Sequence, residues 1–145
     1  KTSESAAGGH NYLSTKEHYL DTYVSIVNET GILDEVTFIT EKTMRPIFNR
    51  HPFIVWSNPY TLKTLRSYGF KTFDWLIDEG YDERENANDR FNMILKEIEK
   101  LNSLPIEKLH KLYYDNMEIM EHNYQHLKTL EKNYNVNKLL LKNLL

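Results

Sequence analysis

Thr40, Glu41 and Lys42 stand together at the predicted start of a helix, and their side chains suit a phosphorylated sugar compound. Thr40 is a favoured N-cap, and the open backbone N–H groups of a helix N-terminus bind anions such as phosphate. Lys42 adds a positive charge, whereas the Glu41 carboxylate suits ribose or sugar hydroxyls better than a diphosphate. The same residues also make an ordinary helix start, and their spacing alone favours that simpler interpretation.

A second polar pair, Asn28 and Glu29, follows the apolar run that begins at Tyr23. That run is short and rich in β-branched and aromatic residues, which predicts a strand over 23–28. In an open parallel sheet, ligands bind at the carboxyl ends of the strands. We therefore expect Asn28 and Glu29 to face the helix start at Thr40 across one cleft.

Two other groups of side chains carry weaker chemical signals. Four acidic residues could supply a catalytic carboxylate pair, or hold Mg²⁺ if they converge, but a solvated loop anchored by Trp75 and Tyr81 is favoured. His122 and His126 have a helical spacing that can bind a metal, but no third ligand is indicated, so a solvated helix face is favoured. The four acids are Asp78, Glu79, Asp82 and Glu83.

The elements that position these residues follow a strand–helix–strand–helix–strand order. Continuous apolar residues predict a buried strand over 53–56, and a third short strand is predicted over 70–73. Asn58 and Pro59 predict the start of the second helix, and Gly69 predicts its end. The pattern indicates an α/β fold with a small parallel βαβαβ sheet, which is half of a Rossmann-like domain.

The remainder of the chain is predicted to be helical. Apolar residues at helical spacing predict one helix near 86–101, and Pro105 opens another that continues for about seven turns. We therefore divide the chain into a flexible arm (1–12), a Rossmann-like half-domain (13–104) and a C-terminal helical extension (105–145). The extension is expected to pack on the half-domain or on a partner.

Composition excludes several classes of function. A chain of 145 residues is long enough for one core, and a net charge of −3 with interleaved acids and bases gives no case for nucleic acid. The absence of cysteine excludes disulfides, thiol catalysis and Cys-ligated metals. No apolar run reaches the roughly 20 residues of a membrane span. We expect a cytoplasmic protein.

The segments Phe38–Ile47 and Pro52–Val55 resemble the donor-binding segment of glycosyltransferases with two Rossmann-like domains. The similarity is greatest to the α1,3-fucosyltransferase and exostosin-like groups, in which a strand ending in a polar pair precedes a Thr-Glu-Lys helix start. The run from Leu65 to Tyr81 is similar to uncharacterised phage and bacterial proteins that share this half-domain. The resemblance covers roughly residues 23–104.

The resemblance implies that Glu41 contacts the ribose or sugar of a nucleotide-sugar donor and that Lys42 neutralises its diphosphate. It also implies that Asn28 and Glu29 line the same cleft and that Arg45 is a further phosphate ligand. No cofactor or metal is demanded, because the chemistry is mainly electrostatic stabilisation of the nucleoside diphosphate leaving group.

One departure from the family limits this expectation. The acceptor site and the usual catalytic base of such enzymes lie in an N-terminal domain, and only about twenty residues precede Tyr23. We expect either the C-terminal part of a longer enzyme, inactive by itself, or a protein with another function. The alternative function is a non-catalytic interaction or structural protein that forms homo-oligomers through its long C-terminal helices.

Overall fold

The structure is a computed structural model that describes residues 18–30 and 37–134. Two strands, β1 (Ser25–Asn28) and β2 (Phe53–Trp56), are joined through helix α1 (Glu41–Phe48). Helices α2 (Thr61–Ser67), α3 (Ala87–Asn102), α4 (Ile106–Asp115) and α5 (Met117–Tyr134) follow, with a 3₁₀ helix (Glu79–Glu83) between α2 and α3. The predicted α/β class, with a small parallel sheet and C-terminal helices, is confirmed.

The two strands pair in parallel, with Ser25 beside Phe53 and Asn28 beside Trp56. The backbone N–H of Ser25 donates to the Pro52 carbonyl, just before β2, and that of Glu29 donates to the Trp56 carbonyl at the end of β2. The N–H groups of the alternating residues, Ile26 and Asn28, therefore point away from β2. The outer edge of β2 is covered instead, because the Val55 N–H donates to the hydroxyl of buried Tyr81 over 3.4 Å.

The predicted third strand at 70–73 is wrong, because the backbone there bonds to side chains rather than to another strand. The Asn123 side chain accepts from the Lys71 N–H and donates to the Lys71 carbonyl, both over 2.8 Å. The Glu79 carboxylate accepts from the Phe73 N–H over 2.6 Å. The sheet of the described residues therefore has one βαβ crossover instead of two.

Helix α2 begins later than Asn58 and Pro59 predict. Tyr60 precedes its first residue in a left-handed conformation with φ of 64°. The buried Asp82 carboxylate accepts from the N–H groups of Leu62 and Lys63, so this helix is capped from 20 residues away in sequence. Its end agrees with the prediction, since Gly69 follows the helix with φ of 91°.

The long helix predicted from Pro105 is interrupted at Asn116, which separates α4 from α5. The Asn116 side chain donates to the Leu112 carbonyl over 2.9 Å, and its backbone N–H donates to the Tyr113 carbonyl. These bonds end α4 at Asp115, because they satisfy carbonyls that would otherwise bond to a continuing helix. The two helices can then follow different directions.

Helix α5 packs against α1 and its C-terminal turn. The Arg50 guanidinium pairs with Glu121 and lies 3.5 Å over the Tyr124 ring, and that ring also meets Phe48 edge-on. Arg50 has a positive φ of 54°, so these contacts hold the chain in an unusual conformation directly before β2. None of the described helices is long and apolar enough to span a membrane.

The bounds of the three predicted segments stay predictions. The whole of the predicted arm (1–12), residues 13–17 and 31–36 of the half-domain and residues 135–145 of the extension lie outside the described residues.

Candidate functional site

A cleft of about 450 Å³ lies along β1 and the first turns of α1. Five consecutive residues from Val24 to Asn28 line it, so the cleft follows the strand edge opposite β2. Three of the predicted site residues, Asn28, Lys42 and Arg45, lie together on its wall. The remaining described wall residues are His18, Tyr19 and Thr22.

The described wall of this cleft carries two cationic side chains, Lys42 and Arg45, and no acidic one. Two backbone donors join them, because the N–H groups of Ile26 and Asn28 point away from β2. Charge-assisted hydrogen bonds to phosphate are about twice as strong as neutral ones. The cleft therefore presents the donors and the charge that a phosphate group needs.

Glu29 lies beneath this wall rather than on it. Its side chain is 2 % exposed, and its carboxylate accepts from the Thr40 N–H at 3.0 Å and from the Thr40 hydroxyl at 2.6 Å. The hydroxyl of buried Thr43 donates to the same carboxylate over 2.6 Å. The carboxylate thus occupies the anion position at the N-terminus of α1 and fixes the helix to the end of β1.

The helix start is confirmed at Thr40, but two of its donors are already used. The Thr40 N–H bonds to Glu29, and the Lys42 N–H donates to the Thr40 hydroxyl oxygen over 3.3 Å. A phosphate at this site would therefore contact the side chains of Lys42 and Arg45 rather than these amides. Glu41 is half-buried and does not line the described cleft, and its carboxylate accepts no hydrogen bond from another described side chain.

His51, which is 1 % exposed, lies behind the part of the wall formed by Tyr19 and Thr22. Its Nε2 lies 2.8 Å from the Thr22 carbonyl and its Nδ1 lies 3.0 Å from the Ser25 hydroxyl. Burial lowers the pKa of His51, although hydrogen bonds to backbone carbonyls oppose this. The Tyr19 ring meets the imidazole edge-on at 5.2 Å, so His51 ties the wall residues to β1.

The acidic group has structural roles at three of its four positions. Exposed Asp78 caps the 3₁₀ helix by accepting from the Gly80 N–H over 2.9 Å, and the interpretation as a solvated loop is wrong for Glu79 and Asp82. Glu79 accepts from the Thr72 hydroxyl and pairs with Arg66, while Asp82 caps α2. Burial raises the pKa of both carboxyls. The four acids do not converge, and no metal-binding group of three or more His, Asp or Glu occurs among the described residues.

The two histidines of α5 also bond within the chain. His122 Nε2 donates to the Gly69 carbonyl over 3.0 Å, and His126 Nε2 donates to the Tyr68 carbonyl over 2.6 Å. Their rings are stacked at 5.9 Å. The two histidines bond to carbonyl groups just after α2. Their spacing of four residues therefore joins α5 to the end of α2.

Sequence reasoning missed Thr43, Tyr19 and His51. Thr43 has a local signal, since it lies three residues after Thr40 and so on the same face of α1. Tyr19 and His51 have no such local signal, because they contact each other across 32 positions of the chain.

Compared with known proteins, the chain matches no family model, no curated protein sequence and no solved structure.

Proposed function

We propose that the chain binds a nucleoside diphosphate sugar in the cleft beside β1, as the donor-binding half of a glycosyltransferase. The observation that carries the proposal is that Lys42 and Arg45 lie together on a cleft wall without described acids, beside β1. The resemblance of the Thr40–Lys42 segment supplies the sugar nucleotide as the ligand class.

In this proposal the diphosphate lies against Lys42, Arg45 and the N–H of Asn28. Negative charge grows on the diphosphate as the sugar bond breaks, and these fixed donors stabilise it without a metal ion. Glu41 stands beside Lys42 and outside the described cleft wall; as the resemblance implies, it accepts hydrogen bonds from ribose or sugar hydroxyls of the donor that extend past Lys42. Glu29 contributes by holding the helix start in position.

Transfer to an acceptor requires a second domain that supplies the acceptor site and a base. The chain alone therefore binds the donor and transfers little. A cytoplasmic location, where nucleotide sugars are made, is part of the same proposal.

Calorimetric titration with GDP, UDP and their sugar conjugates tests the proposal. We expect saturable binding to at least one nucleotide, weakened about tenfold or more by Lys42→Ala and by Arg45→Ala, because each removes a charge-assisted contact. Lys63→Ala is the matched control, since Lys63 lies over the Tyr60 ring away from the cleft. Absence of binding to every nucleotide, or equal losses in the Lys63 control, would contradict the proposal.

A second candidate function, self-association through the C-terminal helices, rests on a separate observation. Helix α4 has no buried residue, and Ile106, Tyr114 and Met117 are each about half exposed. The three residues lie within 12 positions of one another on two consecutive helices, and contiguous exposed apolar patches often mark an interface. Light scattering distinguishes this candidate, which predicts a dimer or larger assembly in the absence of any nucleotide.

A further inference from the structure

A second cavity, of about 300 Å³, lies on the other side of the Tyr19–Thr22 segment. Four tyrosines line it: Tyr19, Tyr23, Tyr113 and Tyr114. His110 and Asp21 complete the polar part of the wall, and the described wall includes no lysine or arginine. The cavity is thus rich in aromatic rings and carries one formal negative charge.

The rings stand nearly at right angles to one another. Tyr23 and Tyr113 have centroids 5.9 Å apart and planes inclined by 73°, while Tyr113 and Tyr114 are 5.6 Å apart and inclined by 71°. Rings arranged in this way form adjoining walls rather than a flat platform. A group placed between them lies within reach of several rings at once.

Two of the rings are held in place by their hydroxyl groups. The Tyr23 hydroxyl lies 2.9 Å from His110 Nδ1, and the Tyr113 hydroxyl donates to the Arg50 carbonyl over 3.2 Å. The Arg50 guanidinium is engaged with Glu121 and the Tyr124 ring. The Tyr23 and Tyr113 walls are therefore held in place before a ligand enters, which lowers the entropic cost of binding.

We propose that this cavity binds a quaternary ammonium group by cation–π contact with the tyrosine rings, with Asp21 as the counter-charge. The faces of aromatic rings attract cations within about 6 Å of the centroid, and a trimethylammonium group loses little hydration when it is enclosed. Its methyl groups also fill space between rings set at right angles. Choline and Nε-trimethyllysine both carry the required group.

The experiment is an NMR titration of the protein with tetramethylammonium, choline and Nε-trimethyllysine, following the Tyr and His110 ring signals. The neutral isostere 3,3-dimethylbutanol has the shape of choline without its charge. We expect saturable binding of the cations, with the tighter of choline and trimethyllysine identifying the source, and at least fivefold weaker binding of the isostere. Equal binding of the isostere, or no saturable binding of any cation, would overturn the proposal.

Surface variants locate the site without disturbing the core. Tyr114 is 55 % exposed, so Tyr114→Ala is expected to fold and to bind choline at least fivefold more weakly, whereas Tyr114→Phe keeps the ring and the binding. Asp21→Asn also weakens binding. Tyr68→Ala, at an exposed tyrosine outside the cavity, is the control and leaves the affinity unchanged. Unchanged affinity in Tyr114→Ala would refute the assignment.

The two cavities share Tyr19 and Thr22, but the charged residues of the proposed nucleotide site belong to the first cleft alone. Lys42 and Arg45 line the first cleft and not the second, so Lys42→Ala is expected to leave choline binding unchanged. A protein that binds choline but no nucleotide would retain this inference and lose the other.

Discussion

Glu29 and Glu41 are two acidic residues near one helix start, and their surroundings differ. The Glu29 carboxylate is buried and accepts three hydrogen bonds from Thr40 and Thr43. An ionised carboxylate has only acceptors, so these three donors match it. The Glu41 carboxylate has no such partners among the described residues. The first therefore contributes to folding, whereas a ligand contact for the second is part of the proposal.

Replacing Glu29 by Gln is expected to lower the free energy of unfolding by about 1–3 kcal/mol. The amide keeps one acceptor but places a donor against the Thr40 hydroxyl, and it removes the negative charge at the helix N-terminus. Urea unfolding at neutral pH measures the change. The matched variant Glu41→Gln is expected to stay within about 0.5 kcal/mol of the unmodified protein. Equal losses in the two variants would contradict the assigned roles.

His51 makes folding depend on pH. Burial lowers its pKa below the ordinary value of 6.5, so the folded state binds fewer protons than the unfolded chain. Its contribution to stability is complete above 6.5 and is lost as the pH falls from there through the lower pKa of the folded state.

We expect His51→Gln to remove this pH dependence. The test is the difference in unfolding free energy between the unmodified protein and His51→Gln, measured from about pH 7 to pH 5. This difference is expected to shrink as the pH falls. The effects of the other titrating groups cancel in the difference, because both proteins contain those groups. A difference that grows as the pH falls would show that the folded protein favours protonated His51.

At the scale of elements, the sequence pattern correctly predicts helices and strands that are determined by residues close together in the chain. The apolar run at 53–56 becomes a buried strand, and Thr40 begins α1 as its side chain chemistry indicates. The segment at 70–73 has the composition of a strand, but Asn123 and Glu79 take its backbone groups. Those bonds connect residues as far as 52 positions apart, which no window of sequence reveals.

Gly69 offers a test of how α2 and α5 are joined. Its φ of 91° disfavours other residues, and a Cβ there would stand 2.7 Å from Nε2 of His126. Gly69→Ala is expected to lower the unfolding free energy by about 1–3 kcal/mol, because it strains the backbone and displaces the histidine. Urea unfolding measures this.

Gly80→Ala is the matched control for Gly69. Its backbone does not have the left-handed φ, and a new Cβ would meet the Asp78 side chain at 3.0 Å. That carboxylate accepts from the Gly80 N–H over 2.9 Å, but it is exposed and water can replace the bond if it shifts, so we expect a smaller loss than at Gly69. A loss at Gly80 equal to or larger than that at Gly69 would argue against strain as the cause.

At the scale of the whole molecule, the site depends on an arrangement that sequence reveals only in part. Spacing and residue type predicted Asn28 and Lys42, and the resemblance added Arg45; the three line the cleft together. They did not predict that Glu29 would be buried beneath the cleft, because burial depends on how β1 and α1 pack. Nor did they reveal the tyrosine cavity, whose walls come from positions about 90 residues apart.

The exposed side of α4 gives a prediction about assembly. If self-association occurs, Ile106→Glu together with Met117→Glu is expected to convert the assembly to a monomer, since charge on both residues opposes burial. Light scattering measures the mass, and unfolding free energy is expected to change by less than about 0.5 kcal/mol because both side chains are exposed. An assembly unaffected by this double variant would place the interface elsewhere.

The most direct test of nucleotide binding is an amide-resolved NMR titration with GDP or UDP, compared with the nucleoside that lacks phosphates. We predict that the diphosphate, and not the nucleoside, shifts the amide signals of Ile26 and Asn28 in a saturable way. The Lys71 amide, which is bonded to Asn123, serves as the internal control and is expected not to move. Shifts confined to other regions, or equal shifts with the nucleoside, would contradict a phosphate site beside β1.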